Sequence, residues 1–531
     1  MKPHRTALFA LASLAVTTAA LAQMPGPPKA EKPVAVSSAP VPPATIRIDV
    51  DHVIARIDPR IYGVFMEPIG IHSGGRQFHT LYGPVYDPTS PLADHDGFRQ
   101  DIIDAAHELQ ITQMRWPGGN FTSAYDWRDG IGPKDQRPKR IDPAWGVVES
   151  NQVGTDEWMQ LSKVLGTENI VCINGGTGTL DDARSWVEYC NAPAGSYWAD
   201  KRVEYGHPQP YAVKIWDLGN EVDGAPWIMG YKDADDYIKF ATEAAKIMRH
   251  TSLDTKLEFV ACGAANYQDN FDWVEWDWKV AKAMYGIADY LSVHRYWDDS
   301  DDYYVFMGQR AVDLDEKITT IAGQLQTVAD IHHGKPMTIA FDEWAPPFRH
   351  GGYLPTLALA QFFNAFIRHA DVIKMANYTM LTSILSRDPK TDATYKSPTF
   401  YAFKLFSTHC RGTALDTFVD CATFDTSAHY TKIPFLDVSS VYDAAAKQVI
   451  INVVNRHEAQ PITTDVQCIA GTFAGPASVS QIVGPVDNQP FTYAARAGYV
   501  PKIEEVAAHG STLRYAFPAH SFTQIVVGVN K

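Results

Sequence analysis

The sequence predicts a (β/α)8 barrel over residues 59–410, followed by a jelly-roll-like β-sandwich over residues 411–531 that also takes in two short strands from residues 45–58. Three observations point to this fold. Eight short apolar runs alternate with longer amphipathic stretches between Ile61 and Leu405, the pattern of repeated βα units. After about Cys410 the chain changes to short alternating segments separated by turn residues, which is how sandwich strands read. Acidic and amide residues gather at the C-terminal ends of the apolar runs, the rim where barrels build their sites. A doubly wound sheet is the competing architecture, but no Gly-rich phosphate turn follows the first run.

The N-terminus reads as a cleavable leader over residues 1–22. Lys2 and Arg5 form a basic end, Ala7 to Ala20 is apolar but too short to span a bilayer, and Ala20-Leu21-Ala22 is a small-residue cleavage site. A cut after Ala22 and a secreted or periplasmic enzyme are expected. Residues 23–44 are rich in Pro, Ala, Lys and Ser and read as a disordered spacer. T-I-R-I-D-V-D (from Thr45) and V-I-A-R-I-D then alternate as strands do, and are expected to pair with the C-terminal ones.

The eight barrel runs begin near Ile61, Ile111, Asn169, Val213, Lys256, Tyr290, Met337 and Val372. Helical patterns such as A-D-D-Y-I-K-F-A-T-E-A-A-K-I-M-R (from Ala234) lie between them. In the tail, F-L-D-V-S-S-V-Y-D, Q-V-I-I-N-V-V-N-R and S-F-T-Q-I-V-V-G-V read as sandwich strands. None of the six Cys lies in C-x-x-C spacing or beside clustered His, so a structural zinc is not expected. Export would permit disulfides, and Cys410 and Cys421 are near enough in sequence to close a short loop; Cys172 reads as a buried thiol.

Charge narrows the partners. A net charge of −15 repels nucleic acid and anionic membrane, and no stretch after the leader is long and apolar enough to cross a bilayer. Acidity suits a soluble enzyme acting on a neutral sugar without pointing to one, and a non-catalytic polysaccharide-binding protein and a structural surface protein are the rival classes. The runs V-K-I-W-D-L-G-N-E and M-T-I-A-F-D-E-W end on Glu221 and Glu343. Strands four and seven lie nearly opposite in an eight-strand barrel, so the two carboxyls can face one pocket. Such a pair is the minimum equipment for cleaving a glycosidic bond, one carboxyl protonating the leaving oxygen and the other attacking. Glu67, Arg115, Asn120, Asn220, His294, Tyr296 and Asn377 fall on the same edge. Glu67 follows V-F-M and needs a partner for its buried charge, a sugar hydroxyl or a barrel Arg. Gly118 and Gly119 let the chain turn sharply while presenting Asn120, unless they form an ordinary βα turn. His294 reads either as a site group or as a satisfied structural histidine. Trp227, Trp127 and Trp344 could stack on a sugar or sit in the core.

These residues fall in a recognisable series. R-W-P-G-G-N-F (from Arg115), Y-D-W-R-D-G-I-G-P (from Tyr125), W-D-L-G-N-E-V-D-G (from Trp216), S-V-H-R-Y-W (from Ser292) and F-D-E-W (from Phe341) resemble glycoside hydrolase family 51. So do I-D-P-R-I-Y-G-V-F-M-E (from Ile57) and the tail F-L-D-V-S-S-V-Y-D…V-V-N-R-H. The resemblance implies an exo-acting, retaining α-L-arabinofuranosidase acting on arabinoxylan, arabinan and arabino-oligosaccharides, with no metal or organic cofactor and with homo-oligomers, often hexamers. It implies Glu221 as general acid/base, Glu343 as nucleophile, Arg115 as the residue orienting the nucleophile, Asn220 on the sugar 2-hydroxyl, Glu67 and Asn120 on other hydroxyls, and His294 and Tyr296 around the nucleophile. The same machinery on a β-1,4-glucan or β-xyloside is the alternative. The chain departs from the family where Ala345-Pro346-Pro347-Phe348 follows F-D-E-W, and where Asn377 stands in place of the usual Gln.

Overall fold

The computed structural model describes residue 34 and residues 36–530, except 74–75, 225–229, 266, 268–270, 348–351, 389 and 488. Eight parallel strands close into a barrel in chain order: Gly63–Phe65, Gln113–Trp116, Glu168–Cys172, Ile215–Asp217, Glu258–Ala261, Tyr290–Tyr296, Thr338–Ala345 and Ile373–Thr379. The eighth strand pairs with the first, Asn377 opposite Gly63, so no edge is left open. The barrel interior is filled by Ile170, Ile215, Val260, Tyr290, Ala340 and Met375. It is a packed core, so a site can lie only at an end.

The helices between the strands form for local reasons. In Ala234–Thr251 the Asp233 carboxylate accepts the N–H of Asp236, Asp235 and Asp236 sit in the first turn, and Arg249 and His250 in the last. These charges suit both ends of the helix dipole. Tyr237, Ala241, Ala244, Ala245 and Met248 make the buried stripe. The helix Leu354–Arg368 is buried almost all round because the barrel covers one side and the β-domain the other. Its polar residues are spent on that seam: Asn364 and Arg368 both donate to Asp437, and Ser439 donates to Asn364.

The β-domain is one nine-stranded sheet that curls over a single core. Its order is Lys502–Val506, Thr472–Val483, Ser521–Asn530, Gln448–Asn455, Leu436–Asp443, Thr413–Asp420, Ala44–Arg56, Ile462–Cys468 and Thr512–Phe517. Ile46, Ile451, Val466, Val479, Leu513 and Ile525 from both halves share that core. Gln481 donates to Tyr515 across the gap where the two ends of the sheet approach, 2.8 Å apart.

Three sequence expectations change. The two N-terminal strands are one, Ala44–Arg56, antiparallel to Thr413–Asp420 and parallel to Ile462–Cys468, with its register shifted between Ile48 and Val53. The end of the spacer lies along the fold: Val34 N–H donates to Asp302 (2.6 Å) and Val41 N–H to Gln460 (3.0 Å). All six cysteines are free thiols, so Cys410 and Cys421 close no loop. Among the described residues no helix is long and apolar enough to cross a membrane.

Candidate active site

The C-terminal rim collects the polar residues. The fourth strand ends at Asp217, and Leu218 to Glu221 carry the chain off the barrel wall. Glu221 sits at φ +47°, in the left-handed region. That conformation costs a non-glycine residue ~1–2 kcal/mol, strain of the kind found where a side chain must be held in place. Glu343 lies within the seventh strand, beside His294 of the sixth. Carboxylate oxygens of Glu221 and Glu343 and Nδ1 of His294 all lie within 4.8 Å of one another. The Glu221 side chain is 17% exposed and that of Glu343 only 6%.

Arg115, at the end of strand two, organises the floor. Its guanidinium donates to Asp217 (2.5 Å), to Glu343 (3.1 Å) and to the Asn220 carbonyl (2.7 Å), and stands 3.3 Å from Asp342. It also lies over the Phe65 ring at 4.9 Å. The bond from Arg115 fixes which way the Asn220 amide faces, and its buried Nδ2 has no protein partner. A buried donor without a partner is one a ligand can satisfy.

Glu343 accepts from two donors, Arg115 and, on its other oxygen, the Tyr296 hydroxyl, and His294 Nδ1 stands at ion-pair distance (3.5 Å). Burial raises its pKa above the usual glutamate value, with Glu221 adding to the rise and His294, Arg115 and Tyr296 opposing it. Burial by itself would lower the His294 pKa, but Glu343 and Asp342 outweigh it and hold the ring well above the ordinary histidine value. Glu221, His294 and Glu343 have the spacing of metal ligands, a role His294 could take only through an unprotonated Nδ1.

Glu67 follows strand one and accepts hydrogen bonds from the Phe121 N–H (3.0 Å) and the Trp145 indole (2.9 Å). Burial raises its pKa strongly and Glu343 adds to this. Gly119, at φ +60°, lets the backbone pass directly against this carboxyl; a Cβ there would overlap it. Asn120 comes next, half-buried in the one-turn helix Gly119–Thr122.

The sequence reading thus brought Glu67, Arg115, Asn220, Glu221, His294, Tyr296 and Glu343 to one place. Asn377 donates to the Val64 carbonyl (3.3 Å), tying strand eight to strand one, and its buried Oδ1 has no protein partner. Trp344 is fully buried among Phe362, Phe363, Phe366 and Tyr378, and Trp127 is buried and stacked on Trp186, so both are core residues. Trp227 lies outside the described residues. Asp217, Asp342, Ser292 and Trp145 were missed. The two Asp carried a signal, since a carboxylate inside a barrel strand has to be paired. Trp145 carried none; the hairpin of Arg140–Asp142 with Val147–Glu149 holds it through contacts far away in sequence, Tyr82 and His79 on Glu149.

A closed barrel with two carboxyls converging at its C-terminal rim defines a glycoside hydrolase. Comparison with known proteins is more specific. Residues 105–307 match the alpha-L-arabinofuranosidase 1 domain, and residues 351–521 the alpha-L-arabinofuranosidase C-terminal domain. The chain is 34% identical over 481 residues to an intracellular exo-α-(1→5)-L-arabinofuranosidase of Halalkalibacterium halodurans, covering 86% of this chain and 93% of that protein. Its identity to intracellular exo-α-(1→5)-L-arabinofuranosidase 1 of Bacillus subtilis is 35% over 440 residues, covering 78% and 85%. A solved family 51 α-L-arabinofuranosidase from Bifidobacterium longum superposes with a TM-score of 0.82 at 28% identity, covering 91% of this chain and 99% of that one. The chain belongs to glycoside hydrolase family 51, the α-L-arabinofuranosidases.

The relatives overturn one expectation. The Halalkalibacterium halodurans and Bacillus subtilis enzymes are both named intracellular, against the secreted or periplasmic location read from the N-terminus. That reading rested on a basic end, an apolar stretch and a small-residue site; residues 1–33 lie outside the described residues.

Proposed function

We propose that the protein is an exo-acting, retaining α-L-arabinofuranosidase that removes terminal non-reducing α-L-arabinofuranosyl units from arabinan, arabinoxylan and their oligosaccharides. The observation that carries the mechanism is the approach of the Glu221 and Glu343 oxygens to within 4.8 Å. Retaining enzymes hold their carboxyls ~5–5.5 Å apart, too close to seat a water between them as inverting enzymes do.

In this reading Glu343 attacks the anomeric carbon while Glu221 gives its proton to the departing glycosidic oxygen. The bond to the leaving group breaks as the bond to Glu343 forms. Glu221, now a base, takes a proton from water, the water oxygen displaces Glu343, and arabinose leaves with its configuration retained. The greater exposure of Glu221 suits a group that must meet leaving groups and water. Arg115 and Tyr296 favour the ionised nucleophile against the burial that disfavours it. The unpartnered Asn220 Nδ2 suits a contact to the 2-hydroxyl, and Glu67 and Asn120 suit the other hydroxyls.

Replacing Glu343 with Ala is expected to abolish release of 4-nitrophenol from its α-L-arabinofuranoside. Glu221→Ala is expected to lose about 10²–10⁴-fold on arabino-oligosaccharides, but far less on a dinitrophenyl arabinofuranoside, whose leaving group needs no proton. Equal losses on both substrates would remove Glu221 from the acid role, and turnover by Glu343→Ala would remove the mechanism.

A further inference from the structure

Beneath the carboxyl pair lies a second one. Asp217 and Asp342 flank the same Arg115 nitrogen at 2.5 and 3.3 Å, and their side chains are 2% and 1% exposed. By distance and burial they look alike, with Asp217 the tighter partner. Their other neighbours differ. Asp342 Oδ1 accepts from the Ser292 hydroxyl (2.6 Å) and stands 3.5 Å from His294 Nε2. In direct contact Asp217 meets one cation, with His294 acting on it from further off, while Asp342 meets two cations and a hydroxyl donor.

His294 therefore has carboxyls at both ring nitrogens: Asp342 at Nε2, and at Nδ1 Glu221 (3.0 Å), nearer than Glu343 (3.5 Å). A neutral ring could donate to one of them only; the imidazolium donates toward both. An Nδ1–H aimed at Glu221 Oε1 occupies that oxygen and leaves Oε2 to carry the proton that moves. We propose that Asp342 is a positioning residue for the acid/base carboxyl, acting through His294, and that Asp217, though closer to Arg115, has no such part. The inference rests on the acid/base role proposed for Glu221 and extends it.

Charge accounting agrees. Five carboxyls (Glu67, Asp217, Glu221, Asp342 and Glu343) share a buried space with two cations, Arg115 and His294; Cys172 and Tyr296 also face it. Several of the carboxyls must stay neutral. Burial pushes Asp217 up to about 7 against the pull of Arg115. Burial also pushes on Asp342, but Arg115 and His294 outweigh it and hold it below the ordinary aspartate value.

The test compares the isosteric variants Asp342→Asn and Asp217→Asn on two substrates, arabino-oligosaccharide and dinitrophenyl arabinofuranoside. Asp342→Asn should lose about 100-fold or more in kcat on the oligosaccharide and much less on the activated substrate, the same leaving-group dependence expected of Glu221→Ala. Asp217→Asn, which removes a carboxyl that burial holds up near 7, should lose less than about tenfold on either, about the worth of one hydrogen bond. Equal loss on both substrates by Asp342→Asn, or the larger loss from Asp217→Asn, would overturn the proposal. Should Asp342→Asn fail to fold, Ser292→Ala decides. A several-fold loss confined to the oligosaccharide supports the proposal, and a uniform loss or none overturns it. Glu221→Ala measured alongside separates the two questions: without leaving-group dependence in that variant the acid role itself fails, and with it present the result for Asp342→Asn judges this proposal alone.

Discussion

Gly119→Ala tests how closely the pocket is built around Glu67. At φ +60° the added side chain costs ~1–2 kcal/mol in the left-handed region. The new Cβ would also overlap all three atoms of the Glu67 carboxyl, far inside the ~3.5 Å at which nonbonded atoms meet. The carboxyl must swing away, and it then gives up its bonds to the Phe121 N–H and the Trp145 indole. Each is worth about 1 kcal/mol for a neutral acid and up to ~3 if the group is charged. The total is about 3–4 kcal/mol for the neutral acid and up to ~8 if it is charged, divided between folding stability and the site. If Glu67 holds a sugar hydroxyl, about 3 kcal/mol of it reaches the transition state, roughly a 100-fold fall in kcat/KM. The assay is kcat/KM on 4-nitrophenyl α-L-arabinofuranoside beside a thermal melt. A variant that melts normally and keeps kcat/KM within about threefold of the parent would show that the contact between Gly119 and Glu67 does not shape the pocket.

Other outcomes follow from the same geometry. Arg115→Lys keeps the charge but cannot span Asp217, Asn220 and Glu343 at once; kcat should fall at least about 100-fold with KM little changed. Trp145→Phe removes one of the two donors to Glu67 and should lower kcat/KM about tenfold, the equivalent of one hydrogen bond. Because the Glu343 pKa is raised, the acid limb of the pH–rate profile should lie above that of an ordinary glutamate, activity falling as pH drops through it. Glu149, buried against Tyr82 and His79, has its pKa raised from 4.5 to about 7. The fold thus favours its neutral form. That contribution is full below about pH 4.5 and is lost as pH rises to about 7, ~3 kcal/mol in all. Thermal melts from pH 4.5 to 7.5 should show the parent losing stability relative to Glu149→Gln as pH rises; a constant difference would contradict this.

The barrel was legible because each strand is a short apolar run buried on both faces, and the eight runs keep their period. Glu221 and Glu343 were legible because a charge at the end of such a run has one place to go. Asp217 and Asp342 stood in the same motifs, yet what makes them tolerable is Arg115, on a different strand and over 100 residues away in sequence. Composition does not carry such a pairing. Trp344 shows the opposite difficulty: beside a nucleophile it reads as a sugar platform, and only packing reveals it as the centre of a phenylalanine cluster. The hairpin that brings Trp145 to Glu67 depends on His79 and Tyr82 meeting Glu149 across the rim, again a match between distant segments. The single N-terminal strand was misread as two because the consecutive polar residues Asp51 and His52 interrupt its alternation at the irregularity.

The assignment of the two carboxyls stands or falls on which of them bonds to the sugar. A mechanism-based arabinofuranosyl inhibitor, followed by digestion and mass spectrometry, reads this directly. One inhibitor equivalent on the peptide carrying Glu343 is the expected result. A label on the Glu221 peptide would exchange the roles, and full inactivation with no covalent adduct would contradict double displacement altogether.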